Sequence, residues 1–131
     1  MKFRKLMIII VLLVVILAAG LFAFSVFNKP LLKPNDNGST VNQVKIGQEF
    51  TIVLSSNPTT GYEWNSGYDS QYIKLVNKEY QHDYPIRTGS GGEDIFTFKA
   101  IKSGDTIITL NYQRPWESKP IQTEQYEIKI S

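Results

Sequence analysis

The sequence contains no cysteine, and this absence excludes several kinds of chemistry. Disulfide bonds, thiolate zinc sites, a cysteine nucleophile and a lipid-modified N-terminal cysteine are all excluded. An exported domain without disulfides is held together by its hydrophobic core alone. A chain of about 90 residues can bury enough apolar surface for that, although with little margin.

Histidine and clustered carboxylates are scarce as well. The single histidine, His82, lies in a polar stretch, which is typical of a solvated side chain rather than of a positioned general base. Glu93 and Asp94 are the only adjacent acidic residues, and neighbours on a strand point to opposite faces of a sheet. A zinc site needs three or four ligands, which the sequence does not group together. We therefore predict no enzymatic activity, no metal and no cofactor.

Charge is absent from one long stretch near the N-terminus. Residues 6–27 form an apolar run of 22 residues, preceded by three basic residues. A bilayer core needs about 20 apolar residues in a helix, whereas the apolar core of a signal peptide has about 7–15. The length favours an uncleaved signal anchor over residues 1–27, but cleavage at Ala18-Ala19-Gly20 or Ala23-Phe24-Ser25 would give a secreted protein. The positive-inside rule exports the domain in both cases, so we predict an extracytoplasmic location.

The net charge of +2 also comes from this N-terminal segment. Residues 1–27 hold three basic and no acidic side chains, so the remainder has a net charge of −1. A basic patch that would bind nucleic acid is therefore missing. We expect a monomeric domain with no nucleic-acid partner.

Residues 28–42 contain Pro30, Pro34 and Gly38 and predict a linker, so that the folded domain covers residues 43–131. Asn37-Gly38-Ser39 has the form of a glycosylation sequon, which matters only in a host that glycosylates.

From residue 44 onward the hydrophobic pattern has a period of two, which is typical of half-buried strands. Turn residues separate the runs, and all six prolines lie outside them. Six to eight short strands with this spacing predict an all-β fold, an antiparallel sandwich, with Trp64 in its core. The residues expected to face the core are Phe50, Ile52, Leu54, Ile73, Leu75, Asn77, Phe96, Phe98, Ala100, Ile108, Leu110, Tyr112, Tyr126, Ile128 and Ile130.

Three connections between the predicted strands have unusual composition. Loop 1 is Asn57-Pro58-Thr59-Thr60-Gly61-Tyr62. Its proline fixes φ, its glycine permits positive φ, and its asparagine can bond the backbone two residues on. The pattern predicts a stiff turn with two small threonines at its tip. By composition alone it also suits an ordinary turn.

Loop 2 is Gly89-Ser90-Gly91-Gly92, and loop 3 is Arg114-Pro115-Trp116. Loop 2 lacks the Lys-Ser/Thr and the helix of a phosphate-binding loop, but its near absence of side chains would let another backbone approach closely. A loose hairpin tip explains it equally well. In loop 3, Trp and Arg are the residue types most enriched at binding hot spots; the alternative is that Trp116 folds back onto the core.

Taken together, the three loops resemble those of the chagasin family of cysteine peptidase inhibitors. That family carries Asn-Pro-Thr-Thr-Gly-Tyr/Phe with a Trp two residues later, then Gly-x-Gly-Gly, then Arg-Pro-Trp. The same motifs stand in this order here, and the resemblance covers about residues 43 to 131. It implies an immunoglobulin-like sandwich with the three loops clustered at one end, preceded here by the hydrophobic N-terminal helix.

The resemblance also implies a role for each loop in binding a papain-like peptidase. Thr59 and Thr60 would lie close to the catalytic Cys–His pair of the target. Gly91 and Gly92 would pair with its substrate-binding strand, while Trp116 and Arg114 would contact the side of the cleft. Inhibition would be reversible blockage. The alternative is a non-inhibitory cell-surface adhesion module that shares the fold without the activity. The residues expected to contact the peptidase are Asn57, Pro58, Thr59, Thr60, Gly61, Tyr62, Gly89, Gly91, Gly92, Arg114, Pro115 and Trp116.

Overall fold

A computed structural model describes residues 8, 10, 29–32 and 41–131. Apart from residues 8 and 10, the apolar run predicted as an anchor or signal peptide lies outside the described residues, as do the Asn37 sequon and most of the predicted linker. A search limited to the described residues finds no helix that is long and apolar enough to cross a bilayer.

Residues 41–131 form two stacked sheets, which confirms the predicted all-β sandwich. One sheet has four strands in the order β1-β7-β6-β3, and the other has three in the order β2-β5-β4. A short 3-10 helix, Pro58–Thr60, lies between β2 and β3. The strands are β1 (Val41–Val44), β2 (Glu49–Ser56), β3 (Glu63–Gly67), β4 (Ile73–His82), β5 (Gly92–Ala100), β6 (Gly104–Gln113) and β7 (Gln122–Ile130).

Four of the strand pairings are antiparallel, but β1 and β7 pair in parallel. Their register runs from Val41 opposite Glu127 to Val44 opposite Ile130. The prediction of a wholly antiparallel sandwich is therefore wrong for this pair. The hydrophobic alternation shows which face of a strand is buried, but it does not show whether two strands pair in parallel or antiparallel. Only a short hairpin turn between two strands forces them to be antiparallel. β1 and β7 have no such connection.

The predicted alternation places the core correctly on five strands. Trp64 is 1% exposed, which confirms it as a core residue, and its Nε1 donates to the carbonyl oxygen of Ser55 at 2.9 Å. Leu54, Leu75 and Tyr112 are only partly buried and pack against the edge of the core. The fully buried members of the predicted set are Phe50, Ile52, Ile73, Phe96, Phe98, Ala100, Ile108, Leu110, Tyr126, Ile128 and Ile130.

Asn77 is the exception, because it is exposed rather than inward-facing. The pairing of β4 with β5 shifts by one residue between Leu75 and Asn77, as in a β-bulge. A bulge adds a residue to one strand and so reverses the alternation beyond it. The prediction for Asn77 was wrong for this reason.

Residues 29–32, which the sequence assigns to the linker, pack against the sandwich. Leu32 donates its backbone N–H to the carbonyl oxygen of Thr51, and Thr51 donates to that of Pro30, both at 3.0 Å. Leu32 is 7% exposed and belongs to the hydrophobic core. This short segment therefore lies along the outer edge of β2, in the same direction as that strand.

Candidate functional site

The three unusual loops emerge at the same end of the sandwich, which we call the loop pole. In one sheet, the last residue of β2, Ser56, pairs with Gly92, and Gly92 also pairs with His82 at the end of β4. In the other sheet, the start of β3 at Glu63 pairs with Gln113 at the end of β6. The connections β2–β3, β4–β5 and β6–β7 therefore share one pole, and they contain loops 1, 2 and 3 respectively.

Loop 1 is a stiff turn, as its sequence predicts. The Asn57 side-chain oxygen accepts from the backbone N–H of Thr59 at 3.3 Å and from the Thr59 hydroxyl at 2.6 Å, so it caps the 3-10 helix. Gly61 closes the turn with φ of 79°, in the left-handed region that favours glycine, and donates to the carbonyl oxygen of Pro58 at 3.0 Å. The backbone of the tip is therefore fixed before any partner binds.

The tip of loop 1 is exposed but has its own polar groups engaged. The Thr60 hydroxyl donates to the carbonyl oxygen of Asn57 at 2.6 Å and lies 3.4 Å from the backbone nitrogen of Tyr62. The Thr59 hydroxyl is likewise used within the loop. Both threonines can thus be desolvated in a narrow cleft with their hydroxyl hydrogens already bonded, which lowers the cost of burial.

Asn57 also joins loop 1 to loop 2. Its side-chain N–H donates to the carbonyl oxygen of Gly89 at 3.2 Å. Gly89 has φ of 77°, and Gly91 accepts from the backbone N–H of Asp83 at 3.1 Å. Loop 2 is therefore tied to the neighbouring loop and to the end of β4 rather than being a loose hairpin tip.

The glycines of loop 2 lie close to the backbone of this chain itself. A Cβ on Gly91 would stand 3.1 Å from the carbonyl oxygen of Ser56. A Cβ on Gly92 would overlap the carbonyl oxygen of Gln81 and press on the Tyr80 hydroxyl. The close approach predicted from these glycines is thus found within the sandwich, and at Gly92 packing alone requires glycine.

Arg114 joins loop 3 to loop 1. Its Nε donates to the carbonyl oxygen of Thr60 at 3.2 Å. Its guanidinium lies 4.4 Å from the centre of the Tyr62 ring and 5.9 Å from that of Trp116, and Nη1 pairs with Glu117 at 3.5 Å. Contacts of a guanidinium with ring faces at these distances are attractive. In the free protein, Arg114 therefore holds the tip of loop 1 in place.

Trp116 is exposed at the loop pole. Its side chain is 74% exposed, which excludes the alternative that it folds back onto the core. The adjacent Pro115 is also exposed. The Cη2 atom of Trp116 would lie only 3.6 Å from a Cβ on Gly61, so the indole stands beside loop 1. A large apolar ring held in this way in solvent is available for a partner.

Tyr112 supports loop 1 from below, a role that the sequence does not reveal. Its hydroxyl accepts from the backbone N–H of Asn57 at 3.0 Å. Its ring stacks on Trp64 at 4.8 Å between centroids and packs at 5.4 Å against Tyr62. The only signal in the sequence is the position of a tyrosine, rather than an aliphatic residue, at the core-facing end of β6.

The titratable groups at this pole form no reactive centre in the described residues. The buried Tyr80 hydroxyl has no hydrogen-bond partner there, and burial, together with the Asp83 and Asp94 carboxylates, raises the pKa of Tyr80. The exposed His82 ring lies edge-on to it at 4.8 Å. Between residues 41 and 131, no group of three His, Cys, Asp or Glu side chains is arranged to hold a metal ion.

Comparisons with known proteins agree with the motif assignment. The chagasin family of peptidase inhibitors matches residues 43–130. Amoebiasin-2 of Entamoeba histolytica is 33% identical over 105 residues, which cover 76% of this chain and 84% of amoebiasin-2. Chagasin of Trypanosoma cruzi is 29% identical over 100 residues, covering 72% of this chain and 89% of chagasin.

The structural comparison points the same way. The crystal structure of a cysteine protease inhibitor from Entamoeba histolytica has a TM-score of 0.68 and 27% identity, and the match covers 78% of this chain and 95% of that one. A match over most of the domain to a family of protein inhibitors also means that the chain is not an enzyme. The chain belongs to the chagasin family of peptidase inhibitors.

Proposed function

We propose that this protein inhibits papain-like cysteine peptidases by inserting loop 1 into the active-site cleft, with loops 2 and 3 contacting the two sides. The observation that carries this proposal is the linkage of the three loops. Asn57 bonds to Gly89 of loop 2, and Arg114 of loop 3 bonds to Thr60 of loop 1. Three separate turns thereby form one rigid surface.

Rigidity matters because ordering flexible loops would subtract from the binding free energy. A standard interface buries on the order of 1,600 Å² in total, about half of it from each partner, which three loops can supply. The chain has no cysteine that could form a disulfide with the catalytic thiol, and it offers no electrophile other than ordinary peptide bonds, so inhibition is a reversible blockage. Pro58 and the Gly61 turn keep the tip from presenting an extended peptide to the catalytic cysteine.

The roles of individual residues follow the family motif. Thr59 and Thr60 lie near the catalytic Cys–His pair of the peptidase. Loop 2 offers backbone groups to the substrate-binding strand. Trp116 packs on an apolar surface beside the cleft, as expected of an exposed aromatic anchor. Arg114 contributes mainly by holding loop 1, since its Nε is already bonded within the inhibitor.

The location of the protein is also part of this proposal. The sandwich is of the immunoglobulin-like type, and the length of the apolar run of residues 6–27 supports a location outside the cell, either anchored or, if cleaved, secreted. An adhesion module with the same fold would not need a small, internally bonded threonine tip. That feature favours inhibition over adhesion.

A substitution at the tip of loop 1 tests whether this loop enters the active-site cleft. Thr60→Arg adds bulk to the tip, and we expect it to raise the inhibition constant against papain by about tenfold or more, because the tip no longer enters the cleft. Ser103→Arg makes the same change in charge at an exposed turn of the opposite pole and serves as the matched control. Equal inhibition by both variants would refute insertion of loop 1.

A further inference from the structure

The chain enters the domain at the end opposite the loops. Residues 29–32 run parallel to β2, with Leu31 opposite Thr51 near the beginning of that strand. The Lys29 ammonium pairs with Glu49, the first residue of β2, at 2.8 Å. Because β2 ends at Ser56 beside loop 1, whatever precedes residue 29 reaches the sandwich at the pole farthest from the three loops.

This opposite pole carries more positive charge than the loop pole. Among residues 29–32 and 41–131, its half of the sandwich holds six lysines and four acidic side chains, whereas the loop half holds four basic and seven acidic ones. We call this end the basic pole. Its lysines are Lys29, Lys45, Lys74, Lys99, Lys102 and Lys129, and its acidic residues are Glu49, Asp69, Asp105 and Glu127.

Two of these lysines are held in an unfavourable arrangement. Lys74 of β4 stands directly opposite Lys99 of β5, and both are exposed. Like charges at directly opposed positions destabilise a sheet, and Glu49, which lies opposite Lys99 on its other side, offsets this only in part because it already pairs with Lys29. Within residues 29–32 and 41–131, neither lysine lies within ion-pair distance of a carboxylate. An external anionic surface would relieve this repulsion.

Two exposed isoleucines lie among the lysines. Ile46 follows Lys45 in the turn before β2, and Ile101 precedes Lys102 in the turn after β5. The backbone N–H of Gly47 donates to the carbonyl oxygen of Ala100 at 2.8 Å, which joins the two turns. Apolar side chains flanked by lysines are the composition that binds the interface of an anionic bilayer.

We propose that the basic pole rests on an anionic lipid surface and that the inhibitor is thereby displayed with its three loops facing away from the membrane. The proposal rests on the anchored form of the proposed function. The apolar run of residues 6–27 ends just before Lys29, which leaves the basic pole next to the bilayer. The loop pole then stands roughly 25 Å farther out, the length of a strand of eight residues, where a soluble peptidase can reach it.

Two single-cysteine variants of the full chain can measure this orientation, because the protein has no cysteine of its own. Ser103→Cys marks the basic pole, and Ser118→Cys marks the loop pole; both serines are exposed. Each variant carries a fluorophore and is reconstituted in nanodiscs with a headgroup-attached quencher. One set of nanodiscs is phosphatidylcholine, and the other contains roughly a third phosphatidylglycerol, which supplies the negative surface potential.

We expect the label at position 103 to be quenched about twofold or more strongly than that at 118 in the anionic nanodiscs, given the separation of the poles. This difference in quenching should shrink at about 1 M salt, because the Debye length there is only roughly 3 Å and the attraction between the lysines and the lipid headgroups is screened. The difference in quenching should also shrink in the double variant Lys45→Glu, Lys74→Glu, which reverses two charges of the basic pole. It should not shrink in the control variant Lys119→Glu, which changes a charge at the loop pole.

Several results would overturn the orientation: equal quenching of the two labels, stronger quenching at 118, no dependence on anionic lipid, or a chain that does not remain with the nanodiscs. Inhibition of papain by the same samples is measured separately. Loss of inhibition with the quenching pattern intact would refute the inhibitory function and leave the orientation standing.

Discussion

The Nε of Arg114 donates to the carbonyl oxygen of Thr60 across 3.2 Å, so that a side chain of loop 3 holds the tip of loop 1. The same guanidinium covers the ring of Tyr62. The family motif suggests an arginine that contacts the peptidase. In the free inhibitor, the arginine is instead part of the structure that keeps the tip in one conformation.

Replacing Arg114 by lysine should therefore weaken inhibition without unfolding the domain. Lysine keeps the charge but lacks the planar fork that bonds Thr60 while stacking on Tyr62. We expect a loss of about 1.5 kcal/mol, about tenfold in the inhibition constant against papain. Lys119→Arg, the reverse charge-conserving exchange at an exposed position of the same pole, is the matched control. An unchanged constant for Arg114→Lys would mean that the tip keeps its conformation without this contact.

The two tryptophans should respond to substitution in opposite ways. Trp116→Ala should weaken inhibition by about 2 kcal/mol or more with the melting temperature nearly unchanged, because the ring is exposed and only a partner can bury it. Trp64→Ala should lower the free energy of unfolding by about 3–5 kcal/mol, since its ring fills the core. Thermal unfolding and papain inhibition, measured on both variants, separate these effects. A collapse of folding in Trp116→Ala would contradict the account of loop 3.

Alanine substitutions at two glycines of loop 2 should also have different effects on the stability of the fold. Gly92→Ala should destabilise the fold, because the new Cβ would overlap the carbonyl oxygen of Gln81. Gly89→Ala meets no atom within 4 Å and should cost only the left-handed backbone strain, about 1–2 kcal/mol. Unfolding in urea gives both values. If Gly92→Ala proved as stable as Gly89→Ala, packing would not be the reason for glycine at position 92.

Leucines 31 and 32 provide a matched test of the segment beside β2. Leu32→Ala should lower the free energy of unfolding by about 2–3 kcal/mol, because Leu32 is 7% exposed and lies in the core. Leu31→Ala should have almost no effect, since Leu31 is 62% exposed. Equal effects in chemical denaturation would show that residues 29–32 do not belong to the folded domain.

Much of the fold could be predicted from the sequence, because period-two alternation reports directly which side of a strand is buried. Phe96, Phe98 and Ala100 illustrate this, as do the residues of β7. The parallel pairing of β1 with β7 and the bulge after Leu75 could not be predicted, since both depend on contacts between distant parts of the chain. Leu32 was missed because Pro30 and its polar surroundings are typical of a linker.

The candidate site likewise has features that could be predicted from the sequence and features that could not. The motifs located all three loops and the stiffness of loop 1, because Pro58 and Gly61 restrict the backbone locally. Which loops bond to each other is a tertiary property. The contacts from Asn57 to Gly89 and from Arg114 to Thr60 join residues that are 32 and 54 positions apart. The local sequence marks Tyr112 only as a tyrosine at the core-facing end of β6 and does not show which loop it supports.

The most direct test of inhibition by the loop pole is an equilibrium titration of active papain with the purified protein. We expect loss of activity at a one-to-one ratio, recovery of activity on dilution, and an inhibitor that stays uncleaved by mass spectrometry. Absence of inhibition at micromolar concentrations would contradict the account, as would cleavage within loop 1.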